Sequence, residues 1–222
     1  MAHVATTSNY NAAGASTAVS APAGIADGDI LVCSGLSYRG AGAGAFTWPS
    51  GFTEIGQRTV GTGYKIGLAW KRCSSESGTY TVAGASVEAI IGIVGAYRGR
   101  LASDSPVDVT SDTTYTTSNT TVRAAAATIA TAGSDLIWVG FGYYSDADEL
   151  TVPSGMTARA DVFDGYECLA QADLLAQGAG TTGDKDGAMA HSTTVKHAYM
   201  VALKPEAAGL SIPLLNHLLL GD

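Results

Sequence analysis

The stretch Trp48-Pro49-Ser50-Gly51-Phe52-Thr53 returns 104 residues later as Val152-Pro153-Ser154-Gly155-Met156-Thr157. Upstream of the first copy lies Asp29-Ile30-Leu31-Val32, and upstream of the second lies Asp135-Leu136-Ile137-Trp138, an offset of 106. Downstream, Gly63-Tyr64 faces Gly165-Tyr166 at an offset of 102. The units close on Val94-Gly95-Ala96-Tyr97 and Met200-Val201-Ala202-Leu203, again 106 apart. Landmarks in one order at a nearly constant shift indicate a single structural unit used twice.

The residues between the landmarks read as strands. Tyr64, Ile66, Leu68 and Trp70 alternate with Lys65, Gly67, Ala69 and Lys71, the period of a strand with one apolar face. Val87–Tyr97 is Ile- and Val-rich without clean alternation, the pattern of a central strand covered on both sides. Ile30–Tyr38, Leu136–Tyr144, Tyr166–Leu175 and Thr194–Leu203 are further strand segments, divided by Gly, Pro and Asp clusters. Residues 101–121 form a polar bridge in which Val107, Val109 and Tyr115 hint at strands. The expected fold is all-β. It is a single jelly-roll-like β-sandwich over residues 1–205, built from two homologous four- to five-stranded units at about 24–100 and 130–205.

Composition bounds function. In 222 residues, charged side chains make up 14% and the net charge is −8. That balance argues against binding a nucleic-acid backbone, which needs clustered Lys and Arg. The charge is uneven, +2 over residues 1–100 and −10 over 101–222. Ala89–Tyr97, the longest apolar run, is too short to span a bilayer. The amino-terminal residues lack the basic and apolar segments of a secretory signal. Cys33, Cys73 and Cys168 show no metal or redox spacing and read as buried free thiols of a cytoplasmically made protein.

Motifs for chemistry are absent. The sequence holds neither a nucleophile elbow nor a phosphate loop, and His3, His191, His197 and His217 have no zinc spacing. No catalytic residue, metal or cofactor is expected. Carboxylates gather at Asp146, Asp148 and Glu149, beside Tyr143 and Tyr144, and again at Asp184 and Asp186. The first group is the candidate ligand loop, with Gly40–Gly44 as its counterpart in the other unit. Asn119-Thr120-Thr121 fits a glycosylation pattern, read here as coincidental.

The carboxyl-terminal residues 206–222 stand outside the repeat. They carry Leu210, Ile212, Leu214, Leu215, Leu218, Leu219 and Leu220, and so much apolar surface must be covered. The segment either folds back on its own sandwich or acts as an assembly arm on a neighbouring subunit. The arm is the preferred expectation, because the repeat closes its core without it.

The series Gly28-Asp29-Ile30-Leu31-Val32, Trp48-Pro49-Ser50-Gly51-Phe52-Thr53, Tyr64 to Lys71 and Ile90 to Gly99 resembles duplicated β-sandwich modules of tailed-phage virion proteins. In those modules, as at Pro153-Ser154-Gly155-Met156-Thr157, the second copy carries a Pro-x-Gly-Met-Thr turn. The resemblance covers roughly residues 20–205 and implies a scaffold without shared catalytic residues. The implied role is a structural virion protein, most of all a capsid decoration (cement) protein. It would be made in the host cytoplasm and would sit on the virion surface as a symmetric oligomer, a homotrimer. The implied partners are its own subunits and the major capsid or tail protein, with no nucleic acid and no membrane. The alternatives are a carbohydrate-binding host-adhesion module of a tail fibre and, more remotely, a glycan hydrolase using two carboxylates.

Overall fold

The computed structural model describes residues 2–40, 42–85, 88–99, 104–114, 117–144 and 149–206. Asp146, Asp148, Tyr115 and the residues expected to form the arm, Leu210 to Leu220, lie outside the described residues. The first unit runs through β1 (Ala2–Asn11), β2 (Ser16–Ser20), β3 (Ile30–Tyr38), β4 (Phe46–Thr47), β5 (Thr53–Val60), β6 (Tyr64–Arg72), β7 (Thr79–Gly84) and β8 (Ala89–Arg98). The second runs through β9 (Val107–Thr114), β10 (Asn119–Ala124), β11 (Thr128–Ile129), β12 (Ser134–Tyr143), β13 (Thr157–Phe163), β14 (Glu167–Gln177), β15 (Gly180–Thr181), β16 (Lys185–Thr193) and β17 (Lys196–Leu203). Every described pairing is antiparallel, so the protein is all-β and sandwich-like.

Each unit contributes one five-stranded sheet. Their orders, β1-β8-β3-β6-β5 and β9-β17-β12-β14-β13, are the same topology twice. Both units begin earlier than the matching letters suggest. β1 and β9 are equivalent edge strands, and the supposed polar bridge supplies β9.

The two large sheets share one core. Ile30, Val32, Leu36, Ile66, Leu68 and Ile93 meet Ile137, Val139, Phe141, Leu169, Tyr199 and Val201. The opposite faces of these sheets are covered as well. The sheet β2-β7-β4 closes a second core around Leu31, Cys33, Val82 and Val94. The pairs β10-β16 and β11-β15 close a third around Leu136, Trp138, Met189 and Met200. The molecule is therefore four layers deep, with its two large sheets inside. This explains why β3, β8, β12 and β17 are buried along almost their whole length. An antiparallel strand loses its polar–apolar alternation when both of its faces are packed.

The repeated turn has one physical basis in both copies. Phe52 N–H bonds Pro49 C=O at 3.1 Å, and Met156 N–H bonds Pro153 C=O at 3.1 Å. Gly51 and Gly155 both take φ of 80° at the third position, which a type II turn reserves for glycine.

Two other landmarks are misaligned by one residue. Ile30 pairs with Tyr97 in β8, whereas Asp135 pairs with Leu203 in β17. Tyr97 and Leu203 are the equivalent ends of the repeat, so Ile30 matches Asp135, and Leu31 matches Leu136. The same logic on the neighbouring strand equates Tyr64 with Glu167, not with Tyr166: Tyr38 faces Tyr64, and Tyr143 faces Glu167. A slip of one residue would turn every side chain to the other face, and the buried faces forbid it.

Candidate functional site

Several strongly perturbed ionisable groups collect where the two units meet. At one edge of the seam, β1 of the first unit lies against β13 of the second. Here the Tyr64 hydroxyl donates to Glu167 Oε1 at 3.2 Å, joining the two positions that the repeat makes equivalent. Tyr64 also packs against Phe141 and Tyr143, with ring centroids 5.2 and 5.0 Å away, and against Tyr38 at 4.9 Å. Tyr143, a candidate ligand residue, is thus part of the aromatic wall of the seam.

Beside this wall stand two carboxyl groups. Asp164 Oδ1 accepts the backbone N–H groups of Tyr166 and Glu167, at 2.8 and 2.7 Å. Against the raising effect of burial, a hydrogen bond from the Glu167 side chain, these two backbone donors and the Tyr10 hydroxyl hold Asp164 below the usual carboxylate range. Glu167 is buried and hydrogen-bonded to Asp164, and its carboxyl is pushed up to about 8, first by burial and then by its acidic neighbour. At neutral pH the pair therefore holds one proton, on Glu167. Burial also raises Tyr10, whose hydroxyl bonds Asp164, and Tyr64.

The crevice lined by Tyr10, Leu36, Tyr38, Asp164 and Glu167 has a volume of about 10 Å³. That is room for about one water. Hydrogen-bonded carboxyls also stand closer than the about 5 Å between the two acids of a retaining glycosidase. The pair fits a proton-sharing clasp between the units.

The other edge of the seam joins β5 to β9. Arg58 Nε donates to Asp112 Oδ2 at 2.9 Å. Behind them His197 is fully buried, edge-on to Tyr199 at 4.7 Å. Its Nε2 lies 3.9 Å from Asp112 Oδ2, and neither ring nitrogen has a hydrogen-bond partner among the described residues. Burial lowers this imidazole to about 4, against the opposing pull of Asp112. A third polar contact crosses the middle of the seam, where Gln171 Nε2 donates to the Tyr97 hydroxyl at 3.2 Å.

The remaining candidates lie at the surface. Tyr144 stacks on His191 with ring centroids 4.5 Å apart and an interplanar angle of 2°. Glu149 is exposed nearby in sequence, and together with burial it helps raise Asp161 to about 6. Asp184 and Asp186 both pair with Arg123, at 3.1 and 2.7 Å, so they form a clamp across β10 and β16. Among the described residues no three His, Cys, Asp or Glu side chains are grouped to hold a metal ion. Asn119 of the glycosylation pattern is occupied. Its Oδ1 takes the Lys196 ammonium and the Thr121 N–H. All three cysteines are buried free thiols.

Reading along the sequence could not find the seam. Tyr64 and Glu167 are 103 residues apart, and Arg58 and Asp112 are 54 apart. Tyr64 and Glu167 share a position in the repeat, which becomes visible once strand register is known, whereas Arg58 and Asp112 stand on non-equivalent strands. Trp48 was legible as part of the turn. Its role as the wall of an open cleft, about 470 Å³ in volume and also lined by Lys71, Glu76, Thr79, Tyr80 and Thr81, was not.

Compared with known proteins, the chain matches no family model, no curated protein and no solved structure.

Proposed function

We propose that this protein is a non-enzymatic structural component of a tailed-phage particle, a decoration protein seated on the capsid surface as a symmetric trimer. The observation that supports this reading best is the use made of its polar groups at the seam. Tyr64 with Glu167, Arg58 with Asp112 and Tyr10 with Asp164 join strands from different halves, and His197 is buried beside Asp112. Groups arranged this way stiffen a slab, because a buried network fixes one packing of its parts. A stiff slab suits a protein that must present a constant surface to its neighbours. The resemblance of the repeated turn and strand motifs to virion sandwich modules points the same way.

The test is quantitative mass spectrometry of particles purified from the native source, followed by adding the purified chain back to particles that lack it. The expected result is a fixed, symmetry-compatible copy number per particle and saturable rebinding. Absence from the particles, or rebinding without saturation, would sink the proposal.

One observation favours a second reading, glycan binding at the end of the second unit. The parallel Tyr144–His191 pair offers a flat ring face of the kind that stacks on sugars. A glycan array answered by the native chain and lost on Tyr144→Ala would move the role from decoration to host adhesion.

A further inference from the structure

The outer sheet of the first unit has an open edge. β7 pairs along its whole length with β2, from Thr79↔Ser20 to Ala83↔Ser16. On its other side it pairs with β4 at only two positions, Gly84↔Phe46 and Ala83↔Thr47. Strand geometry then decides which backbone groups are left. Ala85 N–H bonds Ala45 C=O on the β4 side, whereas Gly84 N–H bonds Ala15 C=O and Gly78 C=O accepts Ala21 N–H on the β2 side. Backbone direction alternates along a strand, so Thr81 and Thr79 turn their N–H and C=O toward the β4 side.

Nothing from β4 meets them. The residue in register with Thr81 would be Pro49, which has no N–H, and its C=O is already taken by Phe52 in the turn. The edge opens into the cleft walled by Trp48, where the two charged groups, Lys71 and Glu76, neutralise each other at 2.7 Å. The site offers paired backbone donors and acceptors, an indole wall and no net charge. An extended, largely uncharged segment fits it by adding a strand.

The chain owns such a segment. Glu206, the last described residue, is anchored by its N–H to Gly99 C=O at 2.9 Å. It lines a cleft with Asp27 and Arg72. Asp27 accepts the Ser75 N–H at 2.6 Å, one residue before Glu76, and Arg72 follows Lys71. The described chain therefore ends near the Lys71–Glu76 segment, whose two end residues line the Trp48 cleft. Residues 207–222 add 16 positions, able to span roughly 50 Å when extended. They are rich in Leu and carry one carboxylate side chain, Asp222.

We infer that residues 209–222 fold back on their own chain and pair with the Thr79–Thr81 edge of β7, with Trp48 against their apolar side chains. This is the fold-back alternative for the segment, and it holds whether or not the protein belongs to a virion.

Disulfide trapping tests it on the full-length chain. Thr81→Cys is combined in turn with Ile212→Cys, Leu214→Cys and Leu215→Cys, under mild oxidation. The native thiols are buried and stay out of the exchange. At least one pair is expected to close within the monomer, giving a faster band on a non-reducing gel at unchanged mass. A disulfide-linked dimer would assign the segment to a neighbouring copy, and no bond with any pair would remove it from this edge. Either result overturns the inference.

A second measurement does not depend on register. Truncation after Glu206 is expected to expose the edge and raise self-association by light scattering, and Thr81→Lys in the truncated chain should reverse it. Loss of an oligomer on truncation would overturn the fold-back and favour the arm.

Discussion

The two units share a topology and differ in how each fills its outer layer. In the first unit Cys33 occupies the position that Trp138 holds in the second, by the register that equates Leu31 with Leu136. The first unit fills its outer core with Phe46 from β4, laid over Gly35 and Gly67, where an added Cβ would stand 3.0 Å from the ring at either glycine. The second brings its large ring from the central strand itself. Trp138 lies against Gly187, where a Cβ would come within 2.7 Å of the indole, and Val82 holds the equivalent place in the first unit. The outer edges differ too. Asp186 of β16 and Asp184 just before it are clamped by Arg123, at the positions where β7 has the uncharged Thr79 and Thr81. Charged side chains on an edge strand discourage pairing with another chain. The lesson is that duplication conserves the strand order, while the volume and charge of each layer are free to drift apart.

The sharpest way to break this comparison is to remove the ring that only one unit places on its central strand. Trp138→Ala should cost about 3–5 kcal/mol, read as a fall in the urea midpoint, because the hollow cut by Gly187 cannot refill. Cys33→Ala at the equivalent site should cost about 1 kcal/mol. Equal losses at the two sites would mean that the layers are packed alike.

The two edges of the seam should respond to opposite ends of the pH scale. His197 is held near 4 in the fold and returns to about 6.5 when unfolded. As pH falls through 6.5 the unfolded chain takes up a proton that the folded chain refuses, so stability drains away down to about 4. One buried imidazole with that shift loses roughly 3 kcal/mol across the window. His197→Phe should flatten the acid limb of the stability–pH curve, and an unchanged limb would refute this role.

Glu167 works in the other direction. Its folded value near 8 lies above its ordinary 4.5, so the fold keeps a proton that the unfolded chain releases, and stability falls as pH rises between those values. Asp164, held low, opposes this only in acid, where its contribution is lost. Glu167→Gln keeps a donor for Asp164 and should raise stability at pH 8 by about 1–3 kcal/mol relative to the native chain. A loss of stability at pH 8 would show that the proton on Glu167 is not what the seam uses.

The smallest effect belongs to the exposed clamp. Arg123→Ala should change stability by less than about 1 kcal/mol in 0.15 M salt, since Arg123, Asp184 and Asp186 are each over 40% exposed. It should act mainly by freeing charge at the β16 edge. A large thermal shift would mean that the clamp anchors the outer layer.

Much of the fold was legible before any coordinates. The Pro-Ser-Gly turn marks the same position in both units because a glycine with positive φ is demanded there twice. The lack of alternation in Ala89–Tyr97 announced a strand covered on both faces, and the period-two run from Tyr64 marked its neighbour. The candidate loop at Asp146–Glu149 was visible as composition, but the partners that give Tyr143 and Tyr144 different settings were not. Tyr143, the last residue of β12, faces the seam, and Tyr144, just beyond it, stacks on His191.

By itself the sequence determined that one β-rich unit occurs twice, where its turns fall, and that an apolar segment lies outside both copies. Tertiary structure decided the register. Matching letters placed Asp29 with Asp135 and Tyr64 with Tyr166, whereas the paired strands place Asp135 with Ile30 and Glu167 with Tyr64. The physical reason is the two-residue period of a strand. Letters can be aligned one position off at little cost, but a side chain moved by one position leaves one core and enters another. Only packing on both faces of the central sheets selects the alignment that brings Tyr64 onto Glu167 and leaves the edge of β7 open beside Trp48.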